Sequence, residues 1–572
     1  MKIVGLLFFC VLAFAEDTKS DEKQSELIVE LPLLGKVSGS IIKSRLNKDI
    51  LSFRGVRYGE PPTGQQRFKQ AIPVKPWTGI FNASEEGPSC PRPDRKFQSE
   101  DCLRLNVYTT KLASSSDSSS TLRPVIVFFH PGGFYGVSGQ SIYFGPQYLL
   151  DEEVVLVTVN YRLASLGFLS TGDSLAPGNL GLKDQVEALR WVQKNINNFG
   201  GDPNCVTIMG YSAGGWSVTL HMVSPMSKGL FHRAIAMSGA VTYQNLLPTD
   251  QKDLAKKQAE ILGCPTDTTG NMLICLNTKT EKEIADTLSQ FFEWNKDPIL
   301  IWLPVVEPEV PGVERFLPAQ PIDLIREGKF HQVPLITGIT RDEFGSAVVD
   351  AVEAARKGET ADFDSVNENW TTIAPISFFY ERNTTQSLEI SSKLKHFYLH
   401  DKPIGLDNYE GWARLYADGV IGFSVHRFAN LVSDQYKTTN TPVYYYEFTY
   451  QGRYSHKTWS DGKPYGVVHH DDLLYLFYVS FFPYFDAEAP EIKAVKRSTA
   501  MWVNFAKTGE PIPKDRDEFK NITWTPFTKE NKAYLEIGNE LIMKSGLNEE
   551  RMNEWDKMFP LPDLNRPENN SK

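Results

Sequence analysis

Four apolar runs of strand length recur along the chain, Val154 to Val159, Val206 to Met209, Ala234 to Met237 and Pro334 to Thr337, after two strand-like runs, Leu103 to Thr109 and Pro124 to His130. Continuous rather than alternating apolar character suits strands buried on both faces, the situation inside a parallel sheet. Between two of these runs, Leu182, Val186, Leu189, Val192, Ile196 and Phe199 recur at steps of three and four. That spacing puts them on one face of a helix. Gly200-Gly201-Asp202-Pro203 then stops it. Strand, helix, strand alternation predicts an α/β fold with a large, mostly parallel central sheet and helices on both faces. Neither an internal repeat nor a Pro/Gly-rich linker divides the sequence. It reads as one large domain with long insertions, and the one low-complexity patch, Ser114 to Ser120, reads as a polar loop.

Composition narrows the function. Hydrophobic residues make up 41% and charged residues 23%, which excludes a mainly disordered chain, a collagen and a coiled coil. The net charge is -10. A mildly acidic chain without a basic face is a poor nucleic-acid binder, because counterion release needs clustered cations.

The N-terminus predicts the compartment. Lys2 precedes an apolar run to Phe14, and Ala13-Phe14-Ala15 is a small-x-small site of the kind signal peptidase cuts. Residues 1–15 therefore read as a secretory signal, and 16–572 as the mature, extracellular protein. No other stretch reaches the ~18 apolar residues of a membrane helix, so no membrane anchor is expected. Five cysteines remain after Cys10 leaves with the signal, so at least one is free. Cys90/Cys102 and Cys264/Cys275 are the close pairs, whereas Cys205 sits in an apolar run and reads as a buried thiol. Asn82, Asn369, Asn383, Asn521 and Asn569 occupy glycosylation sequons.

The chemistry is concentrated in short motifs. Gly210-Tyr211-Ser212-Ala213-Gly214 fits G-x-S-x-G. Chance gives roughly 0.2 such matches in a chain this long, so context has to decide. Here an apolar run precedes the motif, and Ala213 to Val223 can continue as a helix. A sharp strand-to-helix turn would expose the serine and aim helix N–H groups at a developing anion. Upstream, His130-Pro131-Gly132-Gly133 follows another apolar run. Gly132 and Gly133 can present N–H groups to an oxyanion, with the Ala213 N–H as a third donor. One such donor is worth roughly 3–4 kcal/mol.

A nucleophilic serine needs a base, and the base needs an acid to orient it. His469, in Gly466-Val467-Val468-His469-His470-Asp471-Asp472, is the candidate base, with His470 its neighbour and competitor. Glu343 lies just past the run Pro334 to Thr337 and is the candidate acid, with Asp342 competing. Ser212, Glu343, His469 is the nucleophile–acid–base order of α/β-hydrolases.

With these residues in view, the chain closely resembles the carboxylesterase/cholinesterase family of α/β-hydrolases, from about Val37 to Trp555. The resemblance rests on ordered blocks. Among them are Phe53 to Gly59, Glu100 to Asn106, Asn160-Tyr161-Arg162, Gly178 to Gln185, Phe199 to Pro203, Gly210 to Gly215 and Trp502 to Gly509. It implies that Ser212, His469 and Glu343 are a catalytic triad, that Gly132, Gly133 and Ala213 form the oxyanion hole, and that Asp472 closes the motif around the base. It implies disulfides Cys90–Cys102 and Cys264–Cys275, and structural ion pairs Arg54–Glu100 and Arg162–Asp184. No metal and no cofactor are expected, the partner is a small-molecule ester, and nothing in the pattern fixes an oligomeric state.

Departures from the family narrow the subfamily. Phe344 replaces the glycine that usually follows the acid, and Pro131 replaces the first glycine of H-G-G-G. Cholinesterases carry a choline-stacking tryptophan between the first two cysteines. Here the residues between Cys90 and Cys102 include none, and Tyr211 stands where cholinesterases have glutamate. Juvenile hormone esterases typically have glutamine there. The pattern is most similar to secreted insect carboxylesterases, including venom carboxylesterase-like and juvenile hormone esterase-like ones. The expected function is hydrolysis of neutral apolar or amphipathic esters through an acyl-enzyme. A specialised juvenile-hormone or pheromone-type esterase is the alternative within enzymes, and a catalytically silent adhesion protein the alternative outside them.

Overall fold

The structure, a computed structural model, describes residues 27–93, 96–112 and 122–564. The expected signal segment, the Ser114–Ser120 loop and Asn569 lie outside the described residues.

The strands in chain order are β1 (Ile28–Leu31), β2 (Gly35–Ser38), β3 (Ser40–Lys43), β4 (Asp49–Arg57), β5 (Ile80–Asn82), β6 (Arg104–Thr109) and β7 (Arg123–Phe129). They continue as β8 (Val155–Val159), β9 (Gly201–Tyr211), β10 (Arg233–Met237), β11 (Leu335–Thr340), β12 (Val443–Phe448), β13 (Ala533–Ile537) and β14 (Leu541–Ser545). An 11-stranded sheet runs β14-β13-β12-β11-β10-β9-β7-β8-β6-β4-β3, and β1-β2-β5 form a small separate sheet. From β13 through β8 all neighbours are parallel. Antiparallel pairs finish both edges: β14 on β13, and β6, β4 and β3 beyond β8.

The continuous apolar runs are the central strands because each of their faces meets a separate core. Val125, Val127 and Phe129 of β7 point into one buried cluster, with Leu182, Val186, Leu189 and Val192 of the helix Leu180–Asn195. Ile126 and Phe128 point into the other, with Val495, Met501, Trp502 and Phe505 of the helix Ile492–Thr508. Each fully buried aliphatic or aromatic side chain contributes about 1.5–3 kcal/mol, which favours apolar residues on both faces of these strands. The helix predicted to end at Gly200 does so, after a last 3₁₀ turn Ile196–Phe199, with Gly200 at φ +80°.

One of the implied ion pairs is rewired. Arg162 and Asp184 are paired as expected, Nε–Oδ2 at 2.8 Å and Nη2–Oδ1 at 2.6 Å, both buried. Glu100, however, is held by Arg67, Nε–Oε1 at 2.6 Å and Nη2–Oε2 at 2.7 Å, and not by Arg54. The register of β4 on β6 shifts between Phe53 and Val56, and Arg54, inside that irregularity, reaches the Ser84 carbonyl and lies 3.8 Å from Glu86. Cys205 is a second correction. It is free, but only half-buried, because it precedes the enclosed stretch Val206–Tyr211 of β9.

Candidate active site

Strand β9 delivers Ser212 at its C-terminal end, and the helix Ala213–Val223 begins at the next residue. Ser212 sits at φ +56°, ψ -118°, outside the regions most residues occupy. Its N–H donates to the Met237 carbonyl at 2.9 Å, which ties the turn to β10. The turn closes only because two positions lack a Cβ. One at Gly210 would stand 2.1 Å from the Gly214 carbonyl oxygen, and one at Gly214 would stand 2.0 Å from the Phe129 oxygen.

Beside it, the loop after β7 carries Gly132 and Gly133 at φ +117° and +58°. The Gly132 carbonyl is occupied, accepting from the Tyr135 and Gly136 N–H groups at 2.9 and 2.7 Å. The N–H groups of Gly132, Gly133 and Ala213 have no acceptor among the described residues. His130 anchors this loop, which its sequence position did not reveal. Its Nδ1 lies 2.7 Å from the Pro131 oxygen, its ring stacks on Tyr161 at 4.3 Å, and burial pushes its pKa down to about 3.

His469 and Glu343 meet across the site. His469 Nδ1 lies 2.5 Å from Glu343 Oε2, and the His469 N–H donates to the Glu343 carbonyl at 3.2 Å. Glu343 Oε1 accepts the Thr340 N–H at 2.8 Å, so the end of β11 holds the carboxylate. Both residues are buried. Asp342, the competing acid, turns away: its Oδ2 accepts from the Val467 N–H at 2.8 Å and from Arg341 at 2.8 and 2.9 Å. The second nitrogen of His469, Nε2, is buried without a hydrogen-bond partner. Phe344, noted in the sequence only as a departure, packs its ring 4.3 Å from that of His469. Asp472 is buried behind the pair. Burial first, and the Glu343 charge second, hold its carboxyl well above the usual carboxylate range.

Gly132, Gly133, Ser212, Ala213 and His469 line one cavity of about 400 Å³. Trp216, Ile299, Leu300, Phe344, Val420 and Ile421 supply much of its remaining wall, and among the described residues no carboxylate lines it. Such a space can hold an uncharged carbonyl compound against Ser212 with three N–H groups nearby. Elsewhere, Cys90–Cys102 and Cys264–Cys275 are bonded, and Asn82, Asn369, Asn383 and Asn521 are all exposed. No helix among the described residues is long and apolar enough to cross a membrane.

The parallel sheet and the serine turn at its C-terminal edge define an α/β-hydrolase. The chain matches the carboxylesterase family over residues 25–555 and belongs to that family. It is 37% identical over 508 residues to esterase FE4 of Myzus persicae, covering 86% of each chain. It is 34% identical over 533 residues to juvenile hormone esterase of Tribolium castaneum, covering 89% of this chain and 87% of that protein. Among solved structures it is similar to juvenile hormone esterase from Manduca sexta with OTFP covalently attached. The TM-score is 0.78 at 27% identity, over 94% of this chain and 100% of that one. The protein is a carboxylic-ester hydrolase.

Proposed function

We propose that this protein is a secreted serine carboxylesterase in which Ser212, His469 and Glu343 form the catalytic triad. The observation that carries the reading is the 2.5 Å contact of His469 Nδ1 with Glu343, which leaves Nε2 unpartnered beside the cavity that Ser212 lines. Neutral His469 takes the Ser212 proton through Nε2 as Oγ attacks the ester carbonyl. Glu343 orients the ring and stabilises the imidazolium that forms. The developing oxyanion is met by the N–H groups of Gly132, Gly133 and Ala213. His469 then protonates the leaving alcohol, and water, activated by the same imidazole, releases the acid from the acyl-enzyme.

The wall without a carboxylate favours neutral apolar or amphipathic esters over cationic ones. Residues 16–572 form a single domain in this reading, after a signal at 1–15. Secretion is supported by that signal, by two disulfides and by exposed sequons. A specialised juvenile-hormone esterase is the second reading, favoured by the likeness to the Tribolium castaneum enzyme. A silent adhesion role is disfavoured because all three triad positions are filled and His469 contacts Glu343.

Labelling with an organophosphate followed by peptide mapping tests the assignment. The adduct is expected on Ser212, with Ser212→Ala losing both label and turnover, kcat falling by up to ~10⁶. A label on another serine, or near-normal turnover in the variant, overturns it.

A further inference from the structure

His470 is not used by the mechanism above, yet it shares the cavity. It adjoins the candidate base and sits at φ +83°, a left-handed backbone that favours glycine over a bulky residue. Its backbone is pinned there by the N–H donated to the buried Tyr211 hydroxyl at 2.8 Å. Its ring lies among three others, 5.0 Å from Tyr211, 4.4 Å from His469 and 5.5 Å from His456. A bulky side chain held at a strained backbone position lining a functional cavity calls for a role of its own.

The chemistry of that wall is specific. Neither ring nitrogen of His470 has a partner among the described residues, and Nε2 is buried. Burial, with His469 and His456 nearby, pushes its pKa well below the usual histidine value, so the ring is neutral. His456, the next lining residue, has Nδ1 3.1 Å from Asp471, and the ammonium of Lys457 is paired with Asp350 at 2.6 Å. The one lining ammonium is thus already paired, and none of the described lining residues is a carboxylate that would attract a cation. Nε2 is already enclosed, and a wholly apolar ligand would leave the other nitrogen, Nδ1, desolvated and unsatisfied as well, which is unfavourable.

We propose that His470, with His456 beside it, determines specificity by hydrogen bonding an uncharged oxygen function carried on the ester away from the scissile bond, such as a hydroxyl, ether or second carbonyl. The proposal rests on the reading of Ser212 as nucleophile and names the substrate class of that site. A site built to pair a polar group discriminates strongly against the analogue lacking it.

Matched ester pairs test it: butyl against 2-methoxyethyl esters of one acid, and pentanoates against 3-methoxypropanoates of one alcohol. The quantity read is the ratio of kcat/KM, polar over apolar, in wild type, His470→Gly and His470→Asn. Glycine fits the left-handed backbone, and asparagine tolerates it while keeping hydrogen-bonding capacity. His470→Gly is expected to lower the ratio about tenfold in at least one pair, and His470→Asn to recover part of the loss. A ratio unchanged within about twofold in both pairs, with hydrolysis retained, overturns the proposal. An asparagine variant no better than glycine assigns the effect to cavity size and overturns it too. A wild type that hydrolyses none of the esters removes the esterase reading, and this proposal with it.

Discussion

Glu343 divides its carboxylate between the sheet and His469: Oε1 accepts the Thr340 N–H at 2.8 Å while Oε2 lies 2.5 Å from His469 Nδ1. The strand end thereby holds the carboxylate and, through it, the orientation of the imidazole. Its neighbour Asp342 is committed instead to Val467 and Arg341.

Glu343→Gln should therefore lower kcat by about 10³–10⁴, because an amide cannot stabilise the imidazolium or enforce the tautomer. Asp342→Asn should cost less than about tenfold, since that residue does not contact the base. Steady-state kinetics of the two variants on one ester decides the matter. A larger loss in Asp342→Asn would mean the wrong carboxylate has been named.

Glu447 predicts a pH-dependent stability. It lies opposite Glu536 in the register of β12 on β13. Burial first, and Glu536 second, raise its pKa from 4.5 to about 7. Below the unfolded value both states hold the proton and the residue is neutral for stability. As pH rises from about 4.5 to about 7, the unfolded chain releases the proton first, so the native state loses stability progressively. Glu447→Gln should accordingly raise Tm at pH 8, by the equivalent of about 1–3 kcal/mol, and the gain should vanish near pH 4.5. The difference between variant and wild type must be used. Buried His130 and His221, lowered to about 3, and His426, lowered to about 4, act in the opposite direction in acid. A gain independent of pH would show that Glu447 is not a proton-linked cost.

Non-reducing peptide mapping should recover Cys90–Cys102 and Cys264–Cys275, and denatured protein should titrate as one thiol per mature chain, from Cys205. The Arg233 guanidinium lies 3.2 Å from the Cys205 sulfur, and no second sulfur is bonded to it. A mixed pairing that includes Cys205 would contradict the arrangement.

Naphthyl or simple aliphatic esters should exceed choline esters of the same acid in kcat/KM by at least about tenfold. The cavity offers no carboxylate to compensate the lost hydration of an ammonium. Each added buried methylene should gain roughly 0.8 kcal/mol until the space is full. Acetylcholine outperforming naphthyl acetate would show that aromatic faces such as Trp216 suffice for a cation.

Local chemistry was readable in the sequence, and long-range geometry was not. The runs that became β7, β8 and β9 announced themselves because both their faces are apolar, and the serine turn because Gly210 and Gly214 flank Ser212 within one five-residue motif. The antiparallel edge strands β3 and β4 escaped notice because each has a partly exposed face and lacks a continuous apolar run. That Arg67 and not Arg54 partners Glu100 is a matter of tertiary placement, with Arg54 inside the β4 irregularity, and no spacing rule contains it. The choice of Glu343 over Asp342 came from family likeness, since two adjacent carboxylates point in directions that only the fold decides.

The close approach of Gly214 to the Phe129 carbonyl sets the start of the helix Ala213–Val223 against the end of β7, two pieces of backbone far apart in the sequence. The separation between the serine turn and the glycine loop is thus gauged by main-chain atoms, with no side chain between them. The pocket walls at Ile299, Leu300, Val420 and Ile421 come from excursions after β10 and β11, outside that gauge. Those excursions can be rebuilt, and the shape of the cavity can drift, without recalibrating the distance between the serine turn and the glycine loop.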